Sequence, residues 1–217
     1  MATFERIGPE SSTRLFTPGV MILIGLLAVG FMVSLGAEEL VSKNLMLRPS
    51  GVLAGKVWQF VSYPFIHFCP QSLVFNGLVV LFIGSAIERE WRMKSFLLLW
   101  AAVSIVCGVL WVLICMVIGK DYTGMGAFAC AYGLLGAFGL LFRGTECFAL
   151  FGRVKAQTLV WIFLVIGVIL NMTQPIMLLW LLGAPVAYGY VKLIWKLASR
   201  KKIVRSDKTL GSFVEID

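Results

Sequence analysis

Charge is scarce in this sequence of 217 residues: Asp, Glu, Lys and Arg together make up 14% of it, against about a quarter in soluble domains. With 59% hydrophobic residues and a mean hydropathy of +0.92, that scarcity excludes an ordinary water-soluble domain and makes the bilayer the solvent. Histidine is scarcer still, His67 being the only one, so no histidine cluster can ligate a metal. Serine is absent between Thr123 and Phe142. The five cysteines, Cys69, Cys107, Cys115, Cys130 and Cys147, show no CxxC spacing. Most of them fall in apolar runs, where a thiol behaves as a small hydrophobe. Neither a metal, a disulfide nor a cofactor is expected.

What is present is long uncharged stretches. Arg14 and Glu38 bracket 23 uncharged residues, Lys56 and Glu88 bracket 31, Lys94 and Lys120 bracket 25, and Asp121 and Arg143 bracket 21. Each is long enough for a bilayer core that needs roughly 20 residues of helix. The last run, 156–191, has 36 residues, too many for one crossing, and is interrupted by Asn171, Thr173, Gln174 and Pro175, a turn signal. The expected architecture is all-α and polytopic. Six spans are placed at about 18–36, 59–87, 96–118, 126–142, 154–170 and 176–197, within one membrane domain over 18–197. Continuous rather than alternating apolar runs exclude a β-barrel.

The basic residues divide unevenly between the two sides. Fifteen of the 19 fall on one side: Arg6, Arg14, Arg89, Arg92, Lys94, Arg143, Arg153, Lys155, and the group from Lys192 to Lys208. Four, Lys43, Arg48, Lys56 and Lys120, fall on the other. By the positive-inside rule both termini are cytoplasmic, with 1–17 a cytoplasmic segment and 198–217 a basic cytoplasmic tail. A cleaved signal peptide at the first span would leave five spans and spoil this pattern, so an uncleaved first span is expected. The net charge of +8 is accounted for by these inside segments, the tail meeting anionic lipid headgroups; no nucleic-acid partner is implied. A bacterial inner membrane is the expected location, an organelle membrane the other candidate.

No Asp, Glu, Lys or Arg lies in a span other than Lys155, Lys192 and Lys196 toward the cytoplasmic ends of the last two, which disfavours a channel or transporter, whose pathways such residues mark. The second span does contain Ser62, His67, Gln71, Ser72, Asn76 and Ser85. Unpaired, each would cost about 1 to 3 kcal/mol, so these groups either bond one another and neighbouring helices or line a polar pocket near the outer face. Trp58, Tyr63, Trp91, Tyr122 and Trp195 sit near span ends, as interfacial anchors do. The fourth span carries Ala129, Gly133 and Ala137 at four-residue spacing, with Gly126 and Gly136, and the sixth carries Gly183, Ala184, Ala187 and Gly189. Small side chains allow close approach in lipid, so these two helices are the expected close pair.

Three blocks, Trp58 to Glu88, Gly126 to Gly136 and the stretch ending at Gly189, together resemble the rhomboid family of intramembrane serine proteases. Trp58 to His67, followed by Phe75-Asn76, Gly84 and Glu88, resembles the approach to the rhomboid second helix, with Trp58, His67, Asn76 and Glu88 at the family's intervals. The fourth span resembles the Gly-x-Ser-Gly block and its continuation, Gly126, Gly133 and Gly136 matching. The sixth resembles the His-x-x-Gly-x-x-x-Gly helix, Gly189 matching its last glycine. The resemblance runs from Trp58 to Gly189 and implies a six-helix rhomboid-like bundle.

In that family a serine opening the fourth helix is the nucleophile and a histidine on the sixth its base, because a free hydroxyl is too weak a nucleophile alone. Here the resemblance places Phe128 at the serine and Leu182 at the histidine. Shifting the register puts Gly126 at the first or, reading from Gly183, Trp180 at the second. The oxyanion-stabilising histidine corresponds to Ser72, its companion Asn76 is kept, and the arginine after Trp58 is Gln59. Cys130, two residues beyond the nucleophile position, points to a different helix face. No catalytic residue is expected, Phe128 and Leu182 filling the space of the dyad. The expected role is binding transmembrane helices of client proteins, affecting their stability or trafficking. The alternative is an active endopeptidase of this family with an atypical site. Client identity and oligomeric state have no sequence signature.

Overall fold

The structure is a computed structural model that describes residues 15–149, 152–171 and 175–211, with the side chains of 15–145, 154–169 and 179–197. Arg6, Arg14 and the expected turn residues Thr173 and Gln174 lie outside the described residues, as do the side chains of Cys147, Asn171, Pro175 and the basic tail. Helix α1 spans Pro18–Gly36, opened by a proline at its first position, where the missing N–H costs no helical bond. Three short helices follow, α2 Glu38–Asn44, α3 Pro49–Leu53 and α4 Gln59–Ser62, the last running into a 3₁₀ turn at Tyr63–Phe65. Next come α5 (Pro70–Val79), a π-helical segment Val80–Gly84, α6 (Ser85–Ile118) and α7 (Phe128–Leu141). A two-stranded antiparallel hairpin, β1 Glu146–Ala149 with β2 Gly152–Lys155, pairs Glu146 with Lys155 and Ala149 with Gly152. Helix α8 (Ala156–Asn171), a 3₁₀ segment Pro175–Leu182 and α9 (Gly183–Gly211) complete the chain.

Pro18–Gly36 and the 49-residue run Pro70–Ile118 are long and apolar enough to cross a bilayer, and Phe128–Leu141 and Ala156–Ile169 are shorter apolar helices. The long run is bent back on itself at Arg92, whose backbone leaves the helical region (φ 66°, ψ 157°). Twelve residues of straight helix would separate Gly84 from Phe96 by about 18 Å, yet a Cβ on Gly84 would lie 3.1 Å from the Phe96 ring.

The helix expected over 59–87 does not begin at 59. Pro64 and Pro70 interrupt the backbone bonding, so the segment becomes α4, a 3₁₀ turn and a loop before α5 starts at Pro70. The β-hairpin is a second departure from the sequence reading, which had no strand between Arg143 and Ala156. A third is the start of the last helical segment, which is 3₁₀ rather than α up to Leu182.

Helices α7 and α9 form the closest pair. A Cβ on Gly183 would collide with the Ala129 carbonyl oxygen, and one on Gly136 would lie 2.6 Å from that of Ala184. Backbones thus touch where lipid-immersed helices need dispersion contact in place of the hydrophobic effect. The other side of α7 meets α6, where a Cβ on Gly133 would strike Val103 at 2.8 Å. Outward, large apolar side chains stay exposed, among them Met32 at 68%, Val117 at 89% and Trp161 at 67%, a surface suited to acyl chains rather than water.

Candidate functional site

The site is built at the N-terminus of α7. The loop leading there is tied down by a bridge of two hydrogen bonds, Leu47 N–H to Gly124 O at 2.9 Å and Gly124 N–H to Leu47 O at 2.7 Å. Asp121 extends the tie by accepting from the Ser50 N–H at 3.0 Å and the Ser50 hydroxyl at 2.6 Å. Partial burial alone would raise the Asp121 carboxyl, but the two Ser50 bonds and the nearby Arg48 charge outweigh it and hold it below its ordinary value. Gly126 then turns with φ +85°, a conformation open to glycine at little cost, and donates its N–H to Tyr63 O at 3.0 Å.

His67 lies beside that turn. Its Nε2 accepts the Ala127 N–H at 3.3 Å, so Nε2 carries no proton and the ring is the Nδ1–H tautomer. Nδ1 faces Phe65 O at 3.4 Å. The Asn76 amide nitrogen also approaches Nε2, at 3.3 Å, and donates to Ser72 O at 2.8 Å. Asn76 and His67 are both buried, and Asn76 Oδ1 has no hydrogen-bond partner. Two donors near this end of α7, the Ala127 N–H and the Asn76 amide, are therefore directed at the imidazole. Ser72, placed by the resemblance at the oxyanion histidine, is part-exposed and spends its hydroxyl on Cys69 O at 2.8 Å. The other polar residues of this segment are also bonded: Ser62 donates to Leu45 O, 17 residues earlier, at 2.7 Å, Ser85 to Phe82 O at 3.2 Å, and the Cys69 thiol to exposed Gln71 at 2.7 Å. Of the two readings of these residues, local and interhelical bonding is the one this arrangement supports.

Phe128, the first residue of α7, is nearly buried and stacks on Phe75 with ring centroids 6.0 Å apart. Phe75 in turn meets Phe163 of α8 at 6.1 Å. Across the loop, Trp180 lies between Trp111, at 4.4 Å and 5°, and Tyr63, at 5.4 Å and 16°, while a Cβ on Gly124 would lie 3.1 Å from Trp180. The Tyr63 hydroxyl donates to Ser104 O at 3.1 Å. Rings thus occupy both flanks of the α7 N-terminus.

The remaining sequence candidates separate. Gly189 is exposed with nothing near its would-be Cβ, so it is not a close-approach glycine. Gly183 and Ala187 are the buried small residues of α9. Trp180, three residues before Gly183, is buried, whereas Leu182 is half-buried. Gly183, and not Gly189, is the glycine of α9 in backbone contact with α7. Cys130 is buried, its sulfur 3.8 Å from Trp100 O on α6. Gln59, at the family's arginine position, is fully buried, its Oε1 accepting the Arg48 N–H at 3.2 Å. Trp58 is half-exposed. Glu88 does structural work that the sequence reading did not anticipate: it accepts from Thr17 Oγ1 at 2.6 Å and from the Gly19 and Val20 N–H groups at 2.8 Å each, capping α1.

Residues 54–194 match the family model for the Rhomboid domain. That is well over half of the chain, which belongs to the rhomboid family and is an integral membrane protein of rhomboid-like helical construction. The search of curated proteins found no match.

Proposed function

We propose that this chain is a rhomboid-like protein without peptidase activity that binds transmembrane helices of client proteins and affects their stability or trafficking. In this reading it crosses a bacterial inner membrane six times, with both termini in the cytoplasm, and makes its remaining contacts with lipid. The carrying observation is at the α7 N-terminus. Phe128, packed on Phe75, stands where the resemblance puts the nucleophile, and the base position holds Trp180 or Leu182 depending on register. Neither an apolar ring nor an alkyl chain can attack a carbonyl or accept a proton. His67 already accepts the Ala127 N–H, and Cys130 faces α6.

The client-binding half is supported by the light packing of α8. Between 156 and 169 only Ala156 and Gly167 are buried, leaving apolar surface for another helix beside α5. Two measurements test the proposal in native membranes. A fluorophosphonate serine probe should leave the protein unlabelled; labelling that disappears on changing one residue would contradict the inactive reading. Photo-crosslinkers on the lipid sides of α5 and α8 should capture other membrane-spanning proteins, and recovery of lipid alone would remove the client reading.

A further inference from the structure

The hairpin of β1 and β2 leaves backbone bonding unused along its edges. At its foot the Ala156 N–H donates to Thr145 O at 2.9 Å, which makes Thr145 and Ala156 a hydrogen-bonded pair. Bonded and unbonded pairs alternate along an antiparallel ladder, and the register runs from Glu146 with Lys155 to Ala149 with Gly152. The N–H and C=O groups of Glu146 and Phe148 therefore face away from β2. Among the described residues the sheet has two strands, and a lone pair of four-residue strands is marginal in water. A third strand on the β1 edge would use the free groups.

The same end of the bundle carries the start of α1. Gly126, ahead of α7, bonds Tyr63, ahead of α5, so α5 and α7 begin at one end. Glu88, beyond the far end of α5, caps α1, and the hairpin follows the far end of α7. Helix α1 packs on α5 and α5 on α8, so two helix spacings, about 20 Å in all, separate α1 from the hairpin's foot at α8. Ahead of α1, Thr3-Phe4-Glu5-Arg6-Ile7 is rich in strand formers and is followed by Gly8-Pro9, a turn signal. Residues 8–17 reach about 33 Å when extended, enough to cover that separation.

We propose that Thr3 to Ile7 docks on the β1 edge as a third, antiparallel strand, with Arg6 opposite Glu146 and Phe4 opposite Phe148. Two rows then cross the sheet. Arg6, Glu146 and Lys155 alternate in charge, and Phe4, Phe148 and Arg153 join two aromatic residues to a cation, both favourable as cross-strand neighbours. The segment straps the start of α1 to the foot of α8, independently of whether the chain is a peptidase.

This register sets Glu5 opposite Cys147 as an unbonded pair, with Cα atoms about 4.5 Å apart, within disulfide range. Cys107, Cys115 and Cys130 are buried, and Cys69 lies at the opposite end, ahead of α5. The test oxidises full-length E5C in native membranes with copper phenanthroline and follows the bond between position 5 and Cys147 by peptide mass spectrometry. It should form at least tenfold faster than the corresponding bond in E10C. F148P removes an outward N–H but none of the hairpin's own bonds, and should slow E5C to the E10C rate. E146K should also slow it, and R6E added to E146K should restore it. Equal rates in E5C and E10C would overturn the proposal, as would indifference to F148P; a charge swap without rescue would overturn the pairing of Arg6 with Glu146. A disulfide joining two chains, seen as a dimer without reductant, would overturn the choice of the chain's own segment.

Discussion

On the side of α7 that meets α9, contact is made by backbone: Gly183 against the Ala129 carbonyl and Gly136 against Ala184. On the side that meets α5 and α8, contact is made by rings, Phe128 on Phe75 and Phe75 on Phe163. The first arrangement tolerates no added atom, because a carbonyl oxygen fixed in a helix cannot retreat. The second is made of side chains that can shift rotamer and repack. The seam between α7 and α9 is therefore made without side-chain atoms, while the N-terminus of α7 is bordered by apolar rings.

The comparison is broken most directly at Gly183. G183V forces a branched side chain into the Ala129 carbonyl and should exceed the usual overpacking cost of about 1–3 kcal/mol, yielding no monodisperse protein by size-exclusion chromatography. F128A removes a ring from the adaptable side and should lower the unfolding free energy by about 3 kcal/mol, the low end for a buried Phe, while leaving a folded protein in detergent. Were F128A the more damaging of the two, the contrast between the sides would be wrong. H67A strands the Ala127 N–H and the Asn76 amide at once and should cost about 1–3 kcal/mol, visible as faster hydrogen exchange at the start of α7.

Much of this was legible in the sequence because lipid imposes few options. The 23 uncharged residues before Glu38 could only be a helix, and α1 runs Pro18–Gly36. The stripes of small residues on the fourth and sixth segments marked the pair that packs closest, since only such residues permit the approach. The register within α9 was not legible: Gly183, Ala187 and Gly189 all fit a small-residue pattern, and only contact with Ala129 tells them apart. Trp180 was reached only as an alternative, because its stacking partners Tyr63 and Trp111 are distant in sequence. The start of α5 was misplaced because hydropathy sees no difference between a helix and the Pro64-to-Pro70 segment that interrupts one.

Arg92 marks another place where pattern was silent. It bends α6 with φ 66° and ψ 157°, a region that costs a residue other than glycine about 1–3 kcal/mol. R92G should therefore raise the melting temperature in detergent, by up to about 1 kcal/mol of stability once the greater freedom of the unfolded glycine is counted. A lowered melting temperature would mean that the Arg92 side chain contributes more than its backbone costs.

The smallest expected effect is at Asp121, on the loop that leads to the ring-packed end of α7. Its carboxyl is held below the ordinary value when folded, so the folded state favours the ionised form. The stabilisation is then present above the unfolded pKa, about 3.9, and is lost as pH falls through the lower folded value. Because Asp121 is exposed, water screens most of this and the contribution stays under about 1 kcal/mol. Hydrogen exchange at the Leu47 and Gly124 amides, followed from neutral to strongly acidic pH, should quicken only at the acidic end beyond the intrinsic pH dependence. D121N should show the faster exchange already at neutral pH and respond little to further acid. If D121N instead tracks the wild type throughout, the Leu47–Gly124 bridge alone holds the loop, and the carboxylate bonds to Ser50 are incidental to the placement of Gly126 and the Ala127 N–H.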